Sequence, residues 1–102
     1  MSEAPGTRTD STVGRARYEV TFIGHVQGVG FRWTTCRLAD RYDVTGWVCN
    51  EPDGTVRCVA EGETSQLDRF VAAVQAAMAG NIDDTRISRG NPRGDLDSFG
   101  IR

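Results

Sequence analysis

What most constrains this chain is the change in its hydrophobic period, from two to 3.6 and back, twice over. From Tyr18 the residues alternate, with Tyr18, Val20 and Phe22 on one face and Glu19, Thr21 and Ile23 on the other, which is the pattern of a strand. Glycines at 24, 28 and 30 then mark a loop. Phe31 opens a helical stripe that continues through Thr35, Leu38, Ala39 and Tyr42. Residues 45–50 (TGWVCN) and 55–62 (TVRCVAEG) read as two strands, with Glu51-Pro52-Asp53-Gly54 supplying the chemistry of a tight hairpin turn between them. A second helical stripe follows through Leu67, Phe70, Val71, Val74, Ala77 and Met78. Ser65, with Asp68 three residues later, is its expected N-cap, and Gly80 its expected C-cap. Weaker strand signals close the chain at 85–89, supported by Ile87, and at 98–102, where Phe99 and Ile101 alternate.

The order β-α-β-β-α-β with a short final strand predicts an α+β fold. An antiparallel sheet carries two helices on one face, a ferredoxin-like two-layer sandwich with the first strand central and right-handed crossovers. Thr85 and Arg89 stand where core-facing residues are expected, and Gly100 weakens the final strand. A chain of 102 residues has room for one domain. Residues 1–16 mix Ser, Thr, Gly, Pro and charge with almost no large apolar side chain. They are expected to form a disordered leader, with the folded domain at 17–102. This fold supports many functions, so the site must argue for itself.

Composition removes several classes of chemistry. No apolar run approaches the roughly 18 residues of a membrane span, and no signal peptide opens the chain. The net charge of −2 gives no basic footprint for nucleic acid. All 12 basic residues are arginine, which removes lysine Schiff bases and the lysine of a P-loop. His25 is the single histidine, and Cys36, Cys49 and Cys58 lack Cys-x-x-Cys spacing, so neither a metal site nor a dithiol redox centre is expected. Sparse cysteines without a signal peptide point to the reducing cytoplasm.

The loop between the first strand and first helix carries the candidate chemistry. Helix N-termini expose unpaired N–H groups and a partial positive charge. Gly28 and Gly30 allow successive amides to curl into an anion nest, and Arg32 in the first turn adds a forked cation. An arginine there opposes the helix dipole unless an anion is held. A bare Gly-x-Gly can also simply join a strand to a helix. The dinucleotide fingerprint is absent, since Trp33 occupies the third glycine position.

The run HVQGVGFR (25–32), followed by TGWVCN-x-PDG-x-V and ending in FGIR, resembles the acylphosphatase family over about residues 17–102. The resemblance implies hydrolysis of the carboxyl-phosphate bond of small acyl phosphates, with no cofactor and no metal. It implies that the amides of Gln27, Gly28, Val29, Gly30, Phe31 and Arg32 bind the phosphoryl group. Arg32 corresponds to the family's catalytic arginine and Asn50 to the asparagine that orients the attacking water. A non-catalytic acyl- or carbamoyl-phosphate-binding module is the alternative. The partners expected are a small acyl phosphate and inorganic phosphate, on a monomer without nucleic-acid or membrane contacts. His25 is expected to be solvated or loop-packed, Trp33 and Trp47 to be packing residues, and Cys36 to be no nucleophile because it lies mid-helix. A two- or four-residue turn at Asp53-Gly54 places Cys49 directly opposite Cys58, whereas a three-residue bulged loop shifts the register by one. Direct pairing of Cys49 with Cys58 is the expectation.

Overall fold

A computed structural model describes residues 14–102. The elements are β1 (Arg15–Gly24), α1 (Phe31–Ala39), β2 (Val44–Asn50), β3 (Val56–Glu63), α2 (Thr64–Ala77), β4 (Ile82–Gly90) and β5 (Phe99–Ile101). Most of the expected leader, residues 1–13, lies outside the described residues, and β1 begins at Arg15, ahead of the expected Arg17. The sheet order is β4-β1-β3-β2-β5. All pairings are antiparallel except that of β5, which runs parallel to β2 and makes the sheet mixed. Both helices pack on one face, so the ferredoxin-like sandwich stands.

Alternation in the strands builds the core. Tyr18, Val20 and Phe22 of β1, Val48 of β2, and Val56, Cys58 and Ala60 of β3 are buried beneath Phe31, Thr35 and Ala39 of α1 and Leu67, Phe70 and Val74 of α2. The Phe70 ring meets Tyr42 at 6.3 Å and Phe99 at 5.4 Å, which ties β5 and the segment after α1 to α2. β4 occupies the rim, where Thr85 and Arg89 lie opposite Phe22 and Tyr18. The Arg89 guanidinium lies 5.0 Å from the centre of the Tyr18 ring. An edge position lets the long side chain cover the ring while its head stays in water.

Several local expectations are corrected. The hairpin closes at Asn50–Val56, with Glu51 N–H bonded to Thr55 O (2.9 Å) and Gly54 N–H to Glu51 O (3.1 Å). That leaves a three-residue loop ending on Gly54 at φ 91°, the bulged type. Cys49 therefore faces Arg57, and Cys58 faces Val48, so the two thiols project from opposite faces of the sheet. Ser65 is not the cap of α2, which begins at Thr64 with Glu63 as the flanking residue. The Thr64 hydroxyl and N–H both reach the Gly14 carbonyl instead. Asp68 accepts a hydrogen bond from the buried Tyr18 hydroxyl (2.7 Å). α2 ends at Ala77, which is exposed, and Gly80 has no left-handed conformation to cap it.

The sheet face without helices is covered by the segment 91–98, which crosses from β4 at one edge to β5 at the other. Glu61 of β3 pins that crossing. It is only 3% exposed and accepts hydrogen bonds from Arg17 Nη1 (2.7 Å) and from the N–H groups of Arg93 (2.9 Å) and Gly94 (3.0 Å). Burial alone pushes its carboxyl up, but the two backbone donors and Arg17 outweigh burial and hold it below the usual carboxylate range. A carboxyl whose folded pKa lies below its unfolded value, about 4.3, stabilises fully above that value. The contribution is lost as pH falls through the folded one. Among the described residues no helix is long and apolar enough to cross a membrane.

Glu61→Gln should cost about 3 kcal/mol at neutral pH, because it takes from the buried Arg17 its one hydrogen-bonded carboxylate, with Glu19 and Asp95 no nearer than 3.6 and 3.7 Å. In urea denaturation the gap from wild type should narrow as pH falls below about 4. A gap independent of pH would show that the charge of Glu61 does not matter.

Candidate active site

The chain leaves β1 at Gly24 and turns through residues 25–30 into α1. Gly28 and Gly30 both adopt left-handed conformations, at φ 75° and 78°. Gly30 is the residue flanking the helix, and no side chain caps this end. No acidic residue lies in the first turn. The first helical backbone bond runs from Thr34 N–H to Gly30 O (3.0 Å), so the N–H groups of Phe31, Arg32 and Trp33 have no partner within the helix. A β-branched or bulky residue at either glycine would be strained.

Asn50 comes to the same cleft from a different element, β2. It is the exposed last residue of β2, immediately before the hairpin. Gly28, Gly30, Phe31, Arg32 and Asn50 line a single cleft together with Val26, Trp33 and Ile101, a cavity of about 160 Å³. Pockets for drug-sized ligands start near 300 Å³, so this one suits a phosphate with a compact organic substituent rather than a nucleotide. Arg32 is half-buried and, among the described residues, has no carboxylate within ion-pairing distance. A guanidinium placed beside uncapped amides and not neutralised by the protein makes the cleft electropositive in an acidic chain.

The tie between the two sides is Gln27. Its side-chain amide donates to Glu51 O (2.8 Å) and Thr55 O (2.9 Å), the two residues that close the hairpin loop. Both hydrogens of one amide thus fasten the glycine loop to the turn that follows Asn50. Gln27 therefore has a positioning role through its side chain that the sequence did not disclose. Val29 lies outside the cleft lining and packs against the core. His25 is exposed.

Val26 and Ile101, which the sequence did not mark for the site, also line the cleft, and so does Trp33, expected to be a packing residue. Trp33 is no packing residue: it is 61% exposed. Its place off the buried stripe of Phe31, Thr35 and Ala39 was the available signal. Trp47 is half-buried on the helix-free face of the sheet, with Arg102 4.2 Å from its ring centre. The thiols offer no nucleophile. Burial first, then Asp40, pushes Cys36 up; burial and Glu51 push Cys49 up; burial pushes Cys58 far up. All three stay protonated at neutral pH, where a thiol attacks poorly.

A profile of the acylphosphatase family matches residues 18–101. A curated acylphosphatase of Nocardioides sp. is 40% identical over 103 residues, spanning 100% of both chains. Another, of Latilactobacillus sakei, is 46% identical over 67 residues, covering 64% of this chain and 73% of its own length. The crystal structure of acylphosphatase from Bacillus subtilis superposes with a TM-score of 0.77 at 32% identity, covering 85% of this chain and 98% of that one.

Gln27→Ala should cost about 2 kcal/mol of stability, from two hydrogen bonds worth about 1 kcal/mol each. Amide exchange should quicken selectively in residues 51–55. Uniform exchange changes across the sheet would refute a local fastening role.

Proposed function

The chain belongs to the acylphosphatase family, hydrolases of the carboxyl-phosphate bond, and we propose that Arg32, Asn50 and the glycine loop carry that reaction. The observation behind this reading is the meeting of an uncapped helix N-terminus, an unneutralised arginine and an asparagine from a separate strand in one small cleft. The amides of Gly28, Gly30, Phe31 and Arg32, the loop residues that line the cleft, bind the phosphoryl oxygens together with the Arg32 guanidinium, and Asn50 orients a water for in-line attack. The water oxygen bonds to phosphorus as the bond to the acyl oxygen breaks. The acyl group leaves as carboxylate, and the protons of the water stay on the product phosphate.

The energetics fit so sparse a site. A carboxylate with a reference pKa near 4 leaves without a general acid. In the loose transition state of phosphoryl transfer the charge spreads over the equatorial oxygens, where preorganised N–H donors and a guanidinium act most strongly. The same cradle supplies the positive charge that a metal supplies in other phosphoryl-transfer sites, so the reaction is proposed to need none.

Turnover of one acyl phosphate and one alkyl phosphate, with and without chelator, tests the reading. The acyl phosphate should be hydrolysed rapidly, the alkyl phosphate should be inert for want of a group to protonate its alkoxide, and chelator should change neither. Phosphate binding without turnover would favour the non-catalytic module. Arg32→Ala should lower kcat/KM by roughly 10³-fold or more, with Arg32→Lys recovering little because an ammonium lacks the fork. Asn50→Ala should lower kcat by about 10²-fold and leave inhibition by phosphate nearly intact.

A further inference from the structure

The two large apolar side chains most open to solvent among the described residues are Trp33, 61% exposed, and Ile101, 51% exposed. Scattered exposed apolar residues need no explanation. These two, however, line the same cleft as Gly28, Gly30, Arg32 and Asn50, although they come from α1 and from the far edge strand β5. The cleft is thereby divided. One side offers amides, a guanidinium and a carboxamide; the other offers an indole and a branched aliphatic chain.

Both apolar groups are held in place. The Arg37 guanidinium, one turn further along α1, sits 5.1 Å from the centre of the Trp33 ring, a cation–π contact that restrains the indole. Ile101 is paired to Val48 of β2, and the next residue, Arg102, donates its N–H to Val48 O at 2.8 Å. A restrained aromatic surface loses little entropy on meeting a ligand. An apolar rim kept open beside a phosphate cradle has one neighbour to contact, the organic part of whatever the cradle holds.

We propose that Trp33 and Ile101 form an acyl subsite, and that the preferred substrates are acyl phosphates with an aromatic or bulky aliphatic acyl group. This rests on the reading of the cradle given above. An acetyl group is too small to span both side chains, whereas a phenyl ring can lie against the indole and shed water from its other face on Ile101. Differences in apolar contact of this size change kcat/KM by about tenfold.

The test compares benzoyl phosphate with acetyl phosphate. Wild type should favour benzoyl phosphate in kcat/KM by about tenfold, and Trp33→Ala should collapse that ratio towards one. Trp33→Phe should restore most of the ratio, and Ile101→Ser should lower it. An equal fractional loss on both substrates in Trp33→Ala, or no preference in wild type, overturns the subsite. Calorimetry with phenacylphosphonate and acetonylphosphonate, in which CH2 replaces the bridging oxygen, reads the same preference without turnover. Discrimination between the phosphonates with no hydrolysis of either acyl phosphate would sink the enzymatic reading and keep the subsite. Hydrolysis of both acyl phosphates at similar kcat/KM would do the reverse.

Discussion

The carboxylate of Glu61 is the point on which the arrangement of strands depends. It sits on the central strand β3, on the face that no helix covers, and binds Arg17 of β1 and the backbone of Arg93 and Gly94. That clamp fixes the middle of the path of residues 91–98 across the sheet, and the Gly46 N–H, bonded to Ser98 O (2.9 Å), holds its end. The path matters because it delivers β5 to the outer edge of β2, and β5 carries Phe99 to the Phe70 ring and Ile101 to the cleft. A buried charge is stabilising only when paired and hydrogen-bonded, and here three donors share one carboxylate. The Nε of Arg17 remains without a hydrogen bond, 3.6 Å from Glu19, so the pair is well satisfied on the Glu61 side and incompletely on the other.

A second polar tie, Gln27, couples the two halves of the candidate site. The glycine loop and the β2–β3 hairpin are each short-range structures that would form on their own signals, but nothing in either sets their mutual distance. The Gln27 amide does so by donating to both ends of the hairpin loop. Besides the stability they contribute, these two hydrogen bonds hold the strand end bearing Asn50 against a cradle whose chemistry tolerates little misplacement.

The sequence disclosed the fold through period, and that reading succeeded because each element is amphipathic: Tyr18, Val20 and Phe22 point inward as alternation requires, and so do Phe31, Thr35 and Ala39 as helical spacing requires. It failed where the deciding interaction is non-local or depends on one turn dihedral. Cys49 and Cys58 separate because Gly54 takes a left-handed conformation in a three-residue loop, a choice that Pro-Asp-Gly permits but does not compel. Ser65 lost the cap position to the β3–α2 junction, where the Gly14 carbonyl, 50 residues away, takes both donors of Thr64. The glycine loop, Arg32 and Asn50 were visible as a motif, but Trp33 and Ile101 were not. One is a residue off the buried stripe and the other belongs to an edge strand whose partner the sequence does not name.

The departures from local rules gather at one place. Gly30 flanks α1 in a left-handed conformation without a capping side chain, and no acid complements the dipole. Arg32 sits in the first turn, where its charge opposes that dipole. Trp33 is held open to water, and Ile101 ends its strand exposed. Each is mildly unfavourable for an isolated helix or strand, and each would become favourable around a bound anion with an apolar tail. The anion would complete the cap and neutralise the arginine, and the tail would cover the indole and the isoleucine. Elsewhere in the described domain the departures stand singly, as at the Nε of Arg17 and the start of α2, which no side chain caps. Four departures around one cleft concentrate local cost there, and the chemistry of those exceptions points to what the cleft is built to receive.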